Sequence, residues 1–402
     1  MTQWRKTQWT NPQPHEFLTP SAAKARSRDR LDTHRIANRI DQALTNPQYV
    51  YQSEQNSILR PYYQRWVWNP LLRAIPDSIS PNTLTAISTL CCAASFGLGA
   101  FASSSPVAMA LASLGVFAYL SLDNMDGAHA RNTGQSSRLG EFLDHWLDTL
   151  NNGFVILGAC LAVGLSPFFT LWVLSAGTLA FFAVQLELRY TGVFRMGRVA
   201  DIEGNTAVSG LYLMVAALGT DFFAWAPAPG WPSLAILLGA GVMGQALWTF
   251  ASALWRLEEG RRDCLPLALC LGALILWGAL PASPSSNGVG AALLGAGFFL
   301  NPVFTSRPIL SRLRGISTET LDRFVVALVW TATATAASVD VGPQLAWSVA
   351  SVLAALTLRY AYQTMAALRH EPPVADISPG PGEALSPPTG SAPARGQSEH
   401  GR

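Results

Sequence analysis

From residue 83 to residue 364 the chain is a succession of apolar runs, each near the twenty residues a helix needs to cross a bilayer. They lie roughly at 83–102, 106–125, 142–163, 167–187, 205–224, 232–254, 265–281, 288–305, 323–339 and 344–364, several of them short or interrupted by Gly and Pro. Half of the 402 residues are hydrophobic and 13% are charged, about half the charged share of an ordinary soluble domain. Backbone polar groups in lipid must be satisfied within the segment that carries them, so runs of this length read as helices. The expected fold class is all-α, a polytopic integral membrane helical bundle of about 10 transmembrane helices.

The loops give an independent sign of orientation, because cytoplasmic loops hold the Lys and Arg. Arg131 and Arg138 follow the second run, Arg189, Arg195 and Arg198 the fourth, Arg256, Arg261 and Arg262 the sixth, and Arg307, Arg312 and Arg314 the eighth. The alternate loops "SSSP", "AWAPAPGW" and "PASPSSN" contain neither residue. Both termini are therefore expected in the cytoplasm. The first fifty residues have no apolar run and no small-residue cleavage site, so no secretory signal peptide is expected.

Five parts are expected along the chain: a polar basic segment 1–55, an amphipathic helix 56–80, core helices 81–225, additional membrane helices 226–366, and a Pro/Gly/Ser-rich disordered tail 367–402. The first 80 residues carry eleven basic and six acidic side chains and end in "LRPYYQRWVWNPLLRAIP". Arg60, Arg65 and Arg73 interleaved with Tyr62, Tyr63, Trp66 and Trp68 suit a helix lying in the headgroup layer. The five cysteines sit in or beside apolar runs without metal or disulfide spacing and read as small core residues. No Gly-rich phosphate loop follows a strand-like run, which excludes soluble nucleotide-binding folds, and no nucleic-acid partner is expected.

Against this apolar background the stretch "DNMDGAHARNTGQSSRLGEFLDHWLDTLNN" stands out. On a helix, Asp123 and Asp126 are three apart, and Gly127 and Ala130 follow each by four, so these positions share a face. Gly140, Asp144 and Asp148 repeat at four-residue spacing in the next run, placing two carboxylates about 6 Å apart along the axis. Two helices joined by a short turn thus aim four carboxylates at one point. A single aspartate at a helix end can be a cap; four in this pattern are not explained that way.

Like charges so close repel, and a cation must share the site. Carboxylate oxygens without thiolates or paired histidines suit Mg²⁺ or Mn²⁺, and two carboxylate pairs accommodate two ions bridging a diphosphate. Arg131 is placed to fork onto a phosphate, and small residues at 127, 130 and 140 let a nucleotide approach the backbone.

The spacing Asp-x2-Asp-Gly-x2-Ala-Arg-x8-Gly-x3-Asp-x3-Asp, met by Asp123, Asp126, Gly127, Ala130, Arg131, Gly140, Asp144 and Asp148, resembles the signature of the CDP-alcohol phosphatidyltransferases. The resemblance implies transfer of a phospho-alcohol from a CDP-alcohol donor to a lipid alcohol acceptor, with release of CMP. It implies that Asp123, Asp126 and Asp144 are metal ligands, that Asp148 is a ligand or the base, that membrane lipids are partners, and that the protein forms a homodimer. "ARNTGQSSRLGEFLDHWLDTLN", together with "SPNTLT" where Asn82 opens the first run, is most similar to the choline/ethanolamine phosphotransferase branch. One departure from that branch is Ala207 after Thr206, where a Glu is common; Glu203 is the neighbouring carboxylate, so the acceptor is open beyond diacylglycerol.

His145 sits between two aspartates, but one helical step turns it about 100° from Asp144, so proton acceptor and orienting partner both stand open. His129 reads as a bystander. Three rival readings remain beside the phosphotransferase. They are a CDP-diacylglycerol enzyme acting on a small polar alcohol, a divalent-cation transporter, and a scaffold with a dead site.

Overall fold

Serine followed by proline starts three of the long helices. The side-chain oxygens of Ser80, Ser105 and Ser166 accept the backbone N–H of Thr83, Ala108 and Phe169 at 3.2, 3.3 and 3.3 Å. The proline that follows each lacks only an N–H that would have had no helical partner. The computed structural model describes residues 52–281, 288–316 and 322–369. Most of the polar segment 1–55 and nearly all of the tail 367–402 lie outside the described residues.

In chain order the elements begin with β1 (Gln52–Gln55), α1 (Arg60–Tyr63), a π-helical turn Gln64–Trp68 and α2 (Asn69–Ala74). The helices α3 (Pro81–Phe101), α4 (Pro106–Asn132), α5 (Arg138–Ala162) and α6 (Pro167–Thr191) follow, then β2 (Val193–Met196). The remainder comprises α7 (Asp201–Leu218), α8 (Asp221–Ala224), α9 (Leu234–Arg256), α10 (Leu265–Gly278), α11 (Val289–Arg314), α12 (Arg323–Ser338) and α13 (Pro343–Leu368). β1 and β2 pair in parallel, Gln52 opposite Val193 through Gln55 opposite Met196, the one departure from an all-helical bundle among the described residues.

Among the described residues, ten helices of 14 residues or more coincide with the ten apolar runs, yet only six of them, α3, α4, α6, α9, α11 and α13, are both long and apolar enough to cross a membrane. The other four fall short for separate reasons. The first half of α5 carries Arg138, Glu141, Asp144 and Asp148, and α7 opens on Asp201 and Glu203. α10 and α12, at 14 and 16 residues, reach only about 21 and 24 Å against a hydrocarbon core of about 30 Å.

α3 packs on α4 and α5, and α7 packs on α4; α5 leans on α6 and α11, with α9 outside α6 and α13 outside α11. α11 is the most enclosed of the crossing helices and braces α5 along its length. Trp146 Nε1 donates to Ser306 Oγ at 3.1 Å, Asn301 Nδ2 to the Thr149 carbonyl at 3.0 Å, and Arg312 pairs with Glu141. Pro302 and Pro308 lie inside this helix and withhold the N–H groups that the Phe298 and Phe304 carbonyls would accept, and Ser306 Oγ donates to the Pro302 carbonyl at 2.5 Å.

On α6 the buried carboxylate of Glu187 is gripped by Arg256 of α9, Nε to Oε1 at 2.6 Å and Nη2 to Oε2 at 2.7 Å, with Arg195 of β2 at 3.2 Å. Two of the loop arginines that mark orientation in the sequence therefore serve as ion-pair partners in the fold. The segment from α1 to α2 is pinned by Trp68 and Tyr63, which pack with Leu120 and Met125 of α4 and Ile202 of α7. All five cysteines are free, and four are buried, as small core residues should be.

Candidate active site

A tight turn brings the aspartates together. α4 ends at Asn132, Gly134 adopts φ +65°, a conformation glycine reaches without Cβ strain, and Ser137 caps α5 by accepting the Gly140 N–H at 3.0 Å. The two helices return on each other, so Asp123 near the end of α4 meets Asp144 and Asp148 near the start of α5. One carboxylate oxygen from each of these three lies within 4.8 Å of the other two.

Asp126 is not part of that trio. It is buried, and its Oδ2 accepts from Thr85 Oγ1 of α3 at 2.5 Å, so α3 fixes the fourth carboxylate beside the other three. Asp123 Oδ1 and Asp148 Oδ1 are buried with no hydrogen-bond partner among the described residues. Acceptors stripped of water are costly unless something binds them. An all-oxygen carboxylate set with two unpartnered buried atoms fits a hard divalent cation.

The small residues have different reasons. A Cβ on Gly127 would meet only Arg131 Nη1, at 3.5 Å, so the space there is open for a ligand. A Cβ on Gly140 would instead press on Asn82 Oδ1 and Ser137 Oγ, both at 3.1 Å. Gly140 therefore has a packing reason to be small, against Asn82 of α3 and its own cap. The same contact sets Asn82 at the site's edge. Arg131 is exposed at the end of α4, within electrostatic reach of Asp126, and Ala130 is half-buried beside it.

His145 is not one of the trio; it stands one helical step, about 100°, round α5 from Asp144. Its Nδ1 lies 3.3 Å from Gln185 Nε2 of α6, its Nε2 3.9 Å from Glu141 Oε1, and its ring stands edge-on to Phe194 of β2. His129 is a bystander to the carboxylates; its Nε2 meets the Ile79 carbonyl at 2.8 Å and straps the chain before α3.

Three participants went unseen in the sequence. Asp201, at the start of α7, lies within electrostatic reach of Asp123, Asp144 and Asp148. Burial, with the Glu203 carboxylate adding to it, pushes the Asp201 carboxyl up to about 6 against the pull of Arg60. An acid in a first helical turn reads as a dipole partner, which hid it. Glu203 itself turns to the N-terminal segment, accepting from Ser57 Oγ at 2.6 Å and from the Leu59 and Ala200 N–H groups at 3.1 and 3.2 Å. Partial burial raises its pKa, and those bonds outweigh it, leaving the carboxyl below its ordinary value. Gln185 and Glu141 are the other two; a Gln inside the apolar run "FFAVQLELRY" was the available signal.

Residues 78–242, which take in α3 through α8 and the first part of α9, match the family model described as CDP-alcohol phosphatidyltransferase. Over 181 residues the chain is 33% identical to Cholinephosphotransferase 1 of Gallus gallus, covering 43% of this chain and 54% of that protein. It is 32% identical over 184 residues to Cholinephosphotransferase 1 of Danio rerio, 44% of this chain and 48% of that one. It is also 32% identical over 191 residues to CDP-diacylglycerol--serine O-phosphatidyltransferase of Encephalitozoon cuniculi, 46% and 50%. The chain spans about half the length of the curated relatives it matches.

Proposed function

The chain carries a CDP-alcohol phosphatidyltransferase domain, and on that premise we propose that it moves phosphocholine or phosphoethanolamine from the CDP-alcohol to a lipid hydroxyl, diacylglycerol first, releasing CMP. The observation that carries the reading is the carboxylate trio, three oxygens within 4.8 Å on facing helix ends inside the matched region. Asp123, Asp144 and Asp148 would hold Mg²⁺ or Mn²⁺, two ions with Asp126 included. Such ions, when bound, offset the charge of the donor's diphosphate and ease departure of CMP.

The remaining work falls to side chains. Arg131 takes a phosphate oxygen, and the open backbone at Gly127 admits the nucleotide. The acceptor oxygen bonds to the phosphorus that bears the alcohol, and the bond from that phosphorus to the bridging oxygen of CMP breaks. The hydroxyl proton passes to His145 Nε2, which requires the ring's proton on Nδ1 with the Gln185 amide turned so that its Oε1 accepts from Nδ1–H, and Glu141 stabilises the imidazolium. With Asp148 committed to the ions, His145 and Asp201 are the titratable groups left beside the site, and His145 is the one carried by the helix that holds Asp144 and Asp148. A second reading gives the proton to Asp148, favoured by its unpartnered Oδ1.

The arginine asymmetry of the loops supports a site and termini on the cytoplasmic side, where a soluble donor arrives and a lipid acceptor slides in laterally. The test reconstitutes the full chain in liposomes with Mn²⁺ or Mg²⁺. One set receives labelled CDP-choline or CDP-ethanolamine with diacylglycerol, the other CDP-diacylglycerol with serine, inositol or glycerol phosphate. Label entering lipid in the first set is expected. Label in the second set alone replaces the assignment with phosphatidyl transfer, the activity named for the Encephalitozoon cuniculi relative.

A further inference from the structure

The chain from Ile58 to Ala74 presents three rows of side chains. Leu59, Tyr63 and Trp68 face the protein, against Leu120 and Met125 of α4. Ile58, Tyr62 and Trp66, four residues apart, form an apolar row that is 56%, 64% and 70% exposed. Pro61, Arg65, Asn69 and Arg73 form a third row at the same spacing, and with Gln64 and Pro70 they line a groove of about 410 Å³.

Among the described residues neither Arg65 nor Arg73 is paired with a carboxylate, while Arg195, Arg256, Arg307 and Arg312 all are. The Arg65 guanidinium lies over the Trp66 ring, 5.0 Å from its centroid. The helix is π-wound across the middle of the groove, the Asn69 N–H bonding the Gln64 carbonyl five residues back, a winding that recurs at functional positions. The exposed apolar row is unfavourable in water, while the basic row beside it is free to take an anion. In the headgroup layer the first row enters the acyl boundary and the second meets the phosphates.

We propose that this groove is a binding site for the headgroup of an anionic phospholipid. Arg65 and Arg73 stand about 12 Å apart along the axis by helical rise, so their long side chains close on one headgroup from its two ends. Its phosphate oxygens accept from the guanidinium groups, and its hydroxyls bond the amides of Gln64 and Asn69. The inward row then holds that lipid beside the end of α4 that carries Asp123 and Asp126. The site is separate from the carboxylates and does not depend on the transfer reaction.

The test is native mass spectrometry of the detergent-solubilised full chain titrated with phosphatidylglycerol and, separately, phosphatidylcholine. The parent should prefer phosphatidylglycerol, and the preference should fall as salt rises. The double variant Arg65→Gln, Arg73→Gln should lose about tenfold or more in phosphatidylglycerol affinity and keep its phosphatidylcholine binding. No preference in the parent, a preference indifferent to salt, or a double variant that binds as the parent does would overturn the proposal. Should the double variant fail to fold, the parent's salt series decides alone. Displacement of the lipid by inorganic phosphate at matched concentration would assign the groove to a free anion and overturn the lipid.

Discussion

Asn301 Nδ2 donates to the backbone carbonyl of Thr149 at 3.0 Å, so α11 holds α5 one residue beyond Asp148 across 152 residues of chain. The Asn301 Oδ1 accepts from Thr305 Oγ1 at 3.0 Å, so the buried amide is engaged on both sides. Asn301→Leu keeps the volume and strands the Thr305 hydroxyl, a cost of about 1–3 kcal/mol. Turnover should fall about tenfold or more through misplacement of α5, with the donor KM changed far less. Initial rates and thermal unfolding measured together check this; unchanged kcat in a destabilised protein would reduce the bond to packing alone.

Asp144→Ala removes one of three clustered ligands and should lower turnover by a factor of about 100 or more. Mn²⁺ binding, read by electron paramagnetic resonance, should weaken in parallel. Chelation of the parent should abolish activity, and added Mg²⁺ or Mn²⁺ should restore it. A well-folded Asp144→Ala protein with parental rates would end the metal assignment.

Gly127→Leu enters open space and should fold as the parent does. CDP should no longer raise its thermal transition, because the side chain fills the approach to the backbone. Undiminished protection by CDP would place the nucleotide elsewhere.

The two readings of the proton acceptor part company in a pair of variants. His145→Ala should retain Mn²⁺ binding and lose most turnover, whereas Asp148→Asn should lose both. Metal retained with turnover lost in Asp148→Asn, alongside an active His145→Ala, would transfer the role to Asp148.

Removing Arg256 leaves Glu187 buried with only the longer Arg195 contact. Arg256→Met should therefore cost about 3 kcal/mol of stability or more, and Arg195→Met much less, since Arg195 contributes a single bond at 3.2 Å. Thermal unfolding of the two variants side by side gives the ranking; equal losses would mean the bidentate pair is not the main hold on Glu187.

The aspartate trio was legible in the sequence because helical spacing is local: residues three and four apart share a face whatever surrounds them. The helix starts were legible for the same reason, Ser and Pro acting on the next three residues. Membrane crossing was less so, since the run at 142–163 begins inside a helix whose first turns are charged. The brace from α11 was invisible, because Asn301, Ser306 and Arg312 reach partners 152, 160 and 171 residues away and no local pattern announces such a contact. Asp201 was hidden by an ordinary role, and the packing of Gly140 against Asn82 was invisible because Asn82 comes from another helix.

The parallel pairing of β1 with β2 limits how the amino end can be shortened. A chain trimmed past Gln55 loses the strand opposite Val193–Met196 and leaves those residues as a bare ladder edge, open to pairing with another molecule. Phe194 on that ladder stands against the ring of His145. Shortening designed to improve handling of the protein would thus loosen the imidazole's support from behind, and an inactive trimmed protein would say nothing about the carboxylates.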